Sequence, residues 1–216
     1  MIDDLAVEHA RDRSPSADTS ARWRLVCLLT LGAFLVLGLA AFASGTLPGD
    51  VSVRQDLLME DHAPLKLVAR VVNYGGKWQV LLPASILLFA LSAAARRHWW
   101  LWPALLIGSA LVEHAFKIVI GRPRPSGASL GFPSGHTTAA TVFAVALIYL
   151  LGREQLHPVM RLAIQVGALA GMFAVGWARV VLHAHWPTDV LGGFLLGTCC
   201  VASAAWWETA REDAIT

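Results

Sequence analysis

Three separated groups of polar residues carry the chemistry open to this chain: Lys117 with Arg124; Ser134, Gly135 and His136; and Arg179, His185 and Asp189. Lys117, Arg124 and Arg179 make a concentrated positive set at the ends of apolar runs. Charge at such places is costly unless an anionic partner meets it. Arginine presents a planar fork that matches phosphate oxygens, and lysine supplies a point charge. Pro123 and Pro125 stop a helix from continuing, which leaves the neighbouring arginines on a loop. Ser134-Gly135-His136 opens an apolar run. A helix starting there turns unpaired N–H groups and a positive dipole end toward an anion, Gly135 lets the backbone come close, and Ser134 adds a hydroxyl. His185 and Asp189 are spaced i, i+4 and share one face if helical. The carboxylate then accepts from one ring nitrogen, fixes the tautomer, and leaves the other nitrogen free to attack. Pro187 between them suits the first turn of a helix that also holds Asp189.

Each group alone has a plainer explanation. Ser134 fits an ordinary helix cap, a histidine at a membrane edge fits an interfacial residue, and Arg179 fits a snorkelling anchor. His183 and His185 suggest a metal pair, but i, i+2 is poor helical geometry, and no thiolate or HExxH partner accompanies them. No metal and no cofactor are therefore expected. Glu113 lies four residues before Lys117 and reads as a structural ion pair on one helix face; tuning of Lys117 or of a substrate headgroup is the alternative. Cys27, Cys199 and Cys200 sit in apolar runs without CxxC spacing and read as small hydrophobes.

Taken together, the three groups resemble the signature of the type-2 phosphatidic acid phosphatase family, which reads KxxxxxxRP, PSGH and SRxxxxxHxxxD. Lys117 is followed after six residues by Arg124-Pro125; Pro133-Ser134-Gly135-His136 matches the second part in full; Arg179, His185 and Asp189 match the third in spacing. Arg122-Pro123 falls too close to Lys117 and reads as a decoy. Position 178 is Ala where the family pattern has Ser, which puts a hydroxyl near the phosphate in doubt. The resemblance implies that His185 attacks phosphorus to form a phosphohistidine and that Asp189 orients it. It implies that His136 protonates the leaving oxygen and then activates water. It also implies that Lys117, Arg124, Ser134, Gly135 and Arg179 hold the phosphoryl oxygens, with positioned donors instead of a divalent ion.

The elements that must bring these groups together are apolar. Hydrophobic residues make up 56% of the 216 and charged residues only 15%, against about 25% in soluble domains. Apolar runs cover about 25–43, 78–95, 99–120, 136–151, 162–182 and 188–207. The expected fold is all-α: an integral-membrane bundle of six transmembrane helices with an extracytoplasmic active site. The run 136–151 is short, so a few preceding residues should extend it. Residues 1–21 read as a disordered cytoplasmic tail, 22–210 as the six-span phosphatase domain, and 211–216 as a second cytoplasmic tail. Ala41-Phe42-Ala43 resembles a signal-peptidase site, but the first run exceeds the usual signal core of about 7–15 residues and reads as a retained anchor. The segment 44–77 is mixed and suits amphipathic helices outside the bilayer.

With six spans, Arg11, Arg13, Arg22, Arg24, Arg96, Arg97, Arg153, Arg161 and Arg211 fall on one side, taken as the cytoplasm. The opposite side also holds bases, among them Lys66, Lys77, Lys117, Arg122, Arg124 and Arg179, so the rule alone is ambiguous unless several belong to a site. The implied location is the inner (plasma) membrane, multi-pass, with the site facing the periplasm or exterior. A net charge of +2 with dispersed bases gives no argument for nucleic acid, and oligomeric state is not legible. The implied activity is phosphate release from a lipid phosphate. Undecaprenyl pyrophosphate is preferred, with phosphatidylglycerol phosphate and phosphatidic acid as alternatives. Two other readings stay open: a lipid-to-lipid phosphotransferase, and a lipid or anion transporter, for which the paired histidines give no reason.

Overall fold

The computed structural model describes residues 15–58 and 63–214, and among these the regular structure is helical throughout. The order is α1 (Pro15–Ser44), α2 (Asp50–Leu58), α3 (Ala63–Asn73), a 3-10 turn (Tyr74–Gly76), α4 (Trp78–Leu91), α5 (Ala93–Arg97), α6 (Leu101–Ile120), α7 (Gly135–Gly152), α8 (Pro158–Val181) and α9 (Pro187–Asp213). Five of them, α1, α6, α7, α8 and α9, are long and apolar enough to cross a bilayer.

The second expected span differs from its reading. It breaks at Ser92, leaving the 14-residue α4 followed by the short α5. Ser92 is extended, caps α5 by accepting from the Ala95 N–H, and donates its hydroxyl to Glu154 at 2.6 Å. A polar residue with two such partners ends a helix more readily than it continues one. At about 1.5 Å per residue α4 covers only about 21 Å. It nevertheless runs from the end that holds Gly76 and His136 to the end that holds Glu154.

Two further boundaries move. Helix α1 already runs from Pro15, with Asp18 in its first turn, so residues 15–21 are helix and not the expected disordered stretch. Proline suits a first helical turn, and an acidic residue there complements the helix dipole. Residues 1–14 lie outside the described residues. Helix α7 gains only Gly135 at its start, because Ser134 is extended at the N-cap. At the chain's end, α9 continues to Asp213, beyond residue 210. The mixed segment after α1 forms α2, α3 and the 3-10 turn, as helices beside the spans.

Large apolar side chains point outward: Leu29, Val36 and Leu39 on α1, Leu111 and Val119 on α6, and Leu162 and Val166 on α8 are exposed. The interior combines many small residues, among them Ala140, Ala144, Ala202 and Ala205, with a few large ones such as Phe34, Phe132 and Leu150; small residues let helix backbones approach closely in lipid. Helix α9 lies at the centre, packed along α1 and against α7. Gly193 and Gly197 allow that approach. A Cβ on Gly193 would lie 2.8 Å from Thr137 Cβ and 2.9 Å from the Ser134 carbonyl oxygen, and one on Gly197 2.6 Å from Thr141 Cβ.

The connectivity sends the carboxyl ends of α6 and α8 and the amino ends of α4, α7 and α9 to one end of the bundle. All three polar groups of the sequence sit there. The other end has its own buried network. Glu208, fully buried, accepts from Tyr149 Oη at 2.6 Å and lies 2.9 Å from His98 Nδ1, while Glu212 joins Arg97 and Arg153.

Candidate active site

Helix α9 starts as its sequence suggests. Pro187 opens the first turn, and the Asp189 carboxylate reaches back to accept from the Trp186 N–H at 2.9 Å. Asp189 is completely buried, and its Oδ2 lies 3.4 Å from His185 Nδ1. This is ion-pair range, but the ring nitrogen makes no well-directed hydrogen bond. His185 is 1% exposed, in the loop between α8 and α9, and its N–H donates to the Arg179 carbonyl at 3.2 Å. Burial pushes its imidazole below the ordinary histidine range, the Asp189 carboxylate opposes this, and the Arg179 and Arg124 charges add to it.

Arg122, too close to Lys117 for the motif, has a structural place of its own. It is 1% exposed and donates from Nη1 to Asp189 Oδ1 at 2.6 Å and to the Thr188 hydroxyl at 2.7 Å. Its other donors meet the Gly45 carbonyl and Asp50 Oδ2. Asp50, also fully buried, accepts from the Thr188 N–H at 3.0 Å and from the Leu47 N–H at 3.0 Å. A buried guanidinium needs anionic partners, and Arg122 has two. It thereby ties α2 and the end of α1 to the carboxylate beside His185. No short motif announces such a residue, because its partners lie 72 and 67 positions away.

The other bases sit close by. Arg179 donates from Nη1 to Asn73 Oδ1 at 2.7 Å, while its buried Nε has no protein partner. Asn73, at the end of α3, was not singled out by sequence. Arg124 lies on the loop, held by the Leu130 carbonyl at 3.2 Å, and its charge bears on Arg179 and on His185. Ala178 is fully buried with Ala69 and Val181 against α3, so the position that departs from the family pattern faces a neighbouring helix.

Ser134 stands at the N-cap of α7, yet its side chain makes no cap bond. It is buried and accepts from the Thr137 hydroxyl at 2.9 Å, which leaves its own proton uncommitted. The backbone N–H of Ser134 donates to the Asp189 carbonyl at 2.9 Å, joining the second and third motifs directly. Glu113 and Lys117 form the expected pair, 2.6 Å apart. It lies over Gly135: a Cβ there would be 2.7 Å from Glu113 Oε1 and 3.3 Å from Lys117 Nζ. Lys77, Lys117, Arg179 and His185 are all near enough for their charges to bear on His136. All eight expected residues thus occur at one end of the bundle.

His183 and His185 have different partners. His183 has a positive φ of 56° and places Nδ1 2.5 Å from an Arg54 nitrogen, while His185 faces Asp189. Among the described residues no cluster of three or more His, Cys, Asp or Glu side chains is grouped to hold a metal.

A cavity of about 600 Å³ opens beside Lys117, Gly135 and His136, walled by α4, α6 and α7. It shares Leu82, Ser85, Leu106, Val142 and Phe143 with a second, largely apolar cavity of about 350 Å³ that reaches Trp99 and Trp102 near the far end of the bundle. Polar site and apolar groove are therefore continuous.

Comparison with known proteins agrees with this layout. The family model described as the PAP2 superfamily matches residues 97–213. Phosphatidylglycerophosphatase B of Bacillus subtilis (strain 168) is 31% identical over 175 residues, covering 76% of this chain and 85% of that protein. The putative undecaprenyl-diphosphatase YbjG of Escherichia coli (strain K12) is 35% identical over 80 residues, 36% of this chain and 35% of its own length. The crystal structure of a transmembrane PAP2-type phosphatidylglycerolphosphate phosphatase from Bacillus subtilis has the same fold, with a TM-score of 0.68 at 24% identity, covering 87% of this chain and 96% of that one. Spaced motifs, a membrane bundle that gathers them at one end, and a match over more than half its length place the chain in the PAP2 superfamily of membrane phosphatases.

Proposed function

We propose that this chain releases phosphate from a lipid phosphate at the extracytoplasmic face of the plasma membrane, through a phosphohistidine on His185 and without a divalent metal. The observation that carries this reading is the buried His185–Asp189 pair with Arg124 and Arg179 beside it. With Nδ1 turned to the carboxylate, Nε2 is the nucleophilic nitrogen. In the first step a P–N bond forms and the P–O bond to the lipid breaks. The electron pair stays on the leaving oxygen, which takes a proton from His136. In the second step His136 takes a proton from water, the new O–P bond forms, and the P–N bond breaks to free inorganic phosphate. Lys117, Arg124, Arg179, the Ser134 hydroxyl and the Gly135 N–H hold the phosphoryl oxygens as charge develops.

The apolar groove continuing from the cavity suits a hydrocarbon tail, and a headgroup reaching Lys117 and His136 stays at the bundle end. Undecaprenyl pyrophosphate is the preferred substrate. Phosphatidylglycerol phosphate is the second, favoured by the similarity over most of the chain to the Bacillus phosphatidylglycerophosphatase. Phosphate release by purified protein from a panel of lipid phosphates, with and without EDTA, tests the reading. Turnover that persists in EDTA and is lost in His185→Ala supports it; turnover that the variant retains, or that EDTA abolishes, contradicts it.

A further inference from the structure

The cavity beside His136 holds a cation that none of the three motifs contains. Lys77 links the 3-10 turn to α4, and its N–H donates to the Tyr74 carbonyl at 2.9 Å. The preceding Gly76 is buried against α7, where a Cβ would lie 2.8 Å from His136 Cβ and 2.9 Å from its carbonyl oxygen. The backbone of Lys77 is thereby held next to His136. Its side chain lies over the Tyr74 ring, with Nζ 3.8 Å from the centroid, and it lines the same cavity as Lys117, Gly135 and His136. Among the described residues no carboxylate pairs with it. Glu113 pairs with Lys117 at 2.6 Å, so Lys77 is the cation of this cavity that no described carboxylate meets.

The reaction gives that charge a meaning. His185 and His136 act on opposite ends of the breaking P–O bond, so the leaving group lies on the His136 side. The cavity with Lys77 is on that side. A simple lipid monophosphate has a neutral alcohol as leaving group and offers nothing for a second cation to grip. A lipid diphosphate leaves as a lipid phosphate, which is an anion, and a headgroup carrying a further phosphodiester does the same at longer reach. We propose that Lys77 forms a subsite for a second phosphate carried by the leaving group, so that this lysine, outside the three motifs, sets the preference for a lipid diphosphate over the matching monophosphate. The proposal rests on the phosphatase reading above. An ammonium over an aromatic ring at a cavity rim can swing to a phosphate oxygen at little cost, because lysine's stem is flexible and its donors rotate.

The test compares a prenyl diphosphate with the prenyl monophosphate of the same chain length, using the full-length purified protein and the variants Lys77→Gln and Lys77→Arg. In Lys77→Gln the ratio of diphosphate to monophosphate kcat/KM falls at least tenfold, mostly through KM, and Lys77→Arg restores most of it. Inorganic pyrophosphate also inhibits the wild type at lower concentration than inorganic phosphate, and loses that advantage in Lys77→Gln. An unmoved ratio with lower thermal stability makes Lys77 an interfacial anchor on Tyr74 and overturns the proposal, as does pyrophosphate inhibition no tighter than that by phosphate. If Lys77→Gln does not fold, the pyrophosphate comparison on the wild type decides alone. Failure of the underlying phosphatase reading looks different: the wild type then releases no more phosphate than His185→Ala from either substrate.

Discussion

Arg122 and Asp189 form an ion pair of 2.6 Å in which neither side chain reaches solvent. Asp189 is also the carboxylate facing His185 Nδ1, and Asp50 on α2 holds the opposite edge of the same guanidinium. A helix outside the spanning bundle is thus wired to the proposed nucleophile through one arginine. Breaking a buried pair by removing one partner costs about 3–5 kcal/mol, because a charge is left without compensation. Arg122→Gln should therefore lower thermal stability in detergent and reduce kcat at least tenfold. Arg122→Lys should recover much of the stability but less of the rate, since it cannot span Asp50 and Asp189 with a planar fork. A double-mutant cycle of Arg122→Gln with Asp50→Asn should show strong coupling in unfolding. Additive losses would mean that the two do not act together.

The pH profile carries a second expectation. The nucleophile must be neutral, and burial holds His185 below the ordinary histidine range. The acidic limb of kcat/KM should therefore lie below about pH 6.5. Asp189 favours the protonated ring, so its loss in Asp189→Asn should move that limb to still lower pH while kcat falls. Substrate phosphate ionisation is common to both proteins, and the difference between the two profiles isolates the enzyme group. A limb that rises in the variant would contradict the assignment.

Helix packing makes a third. Gly193 sits where a Cβ would meet both Thr137 Cβ and the Ser134 carbonyl within 3 Å, on the two sides of His136 in sequence. Gly193→Ala should cost about 1–3 kcal/mol through forced separation of α7 and α9 and should also lower activity. Gly197→Ala meets Thr141 a turn deeper, so it should lower stability as much with a smaller effect on rate. Thermal unfolding and phosphate release on both variants separate the two effects.

How much of this was legible in sequence follows from how local each relation is. The i, i+4 pair Glu113–Lys117 and the proline-started α9 could be read directly, because helix geometry alone decides them; His185 lies in the loop before α9 and meets Asp189 because that carboxylate turns back over the helix start. The gathering of distant motifs at one end followed from counting spans, since alternate helix ends face alternate sides. Arg122 could not be read this way: its partners Asp50 and Asp189 are brought together only by packing of α1, α2 and α9. Ala178 looked like a missing phosphate donor because sequence does not tell which helix face meets α3. The break at Ser92 was hidden because the run 78–95 is apolar on both sides, and the acceptor that ends the helix, Glu154, lies 62 residues on.

The far end of the bundle supplies a control. Glu208 is fully buried, bonded to Tyr149 and paired with His98, and lies nineteen residues beyond Asp189 on α9, about 29 Å along the helix. Glu208→Ala should leave the Tyr149 hydroxyl proton and His98 without their acceptor and cost about 1–3 kcal/mol in stability. Its kcat, measured well below the melting temperature, should stay within about twofold of wild type. A large loss of kcat there would mean that the two ends are coupled.

The covalent intermediate is the most direct test of the mechanism. The purified protein is mixed with a terminally ³²P-labelled lipid phosphate, quenched within milliseconds, and mapped by peptide. Acid-labile, base-stable label is expected on the peptide carrying His185, longer-lived in His136→Ala and absent in His185→Ala. Phosphate release at wild-type rates with no label on that peptide, or label persisting there in His185→Ala, would contradict it.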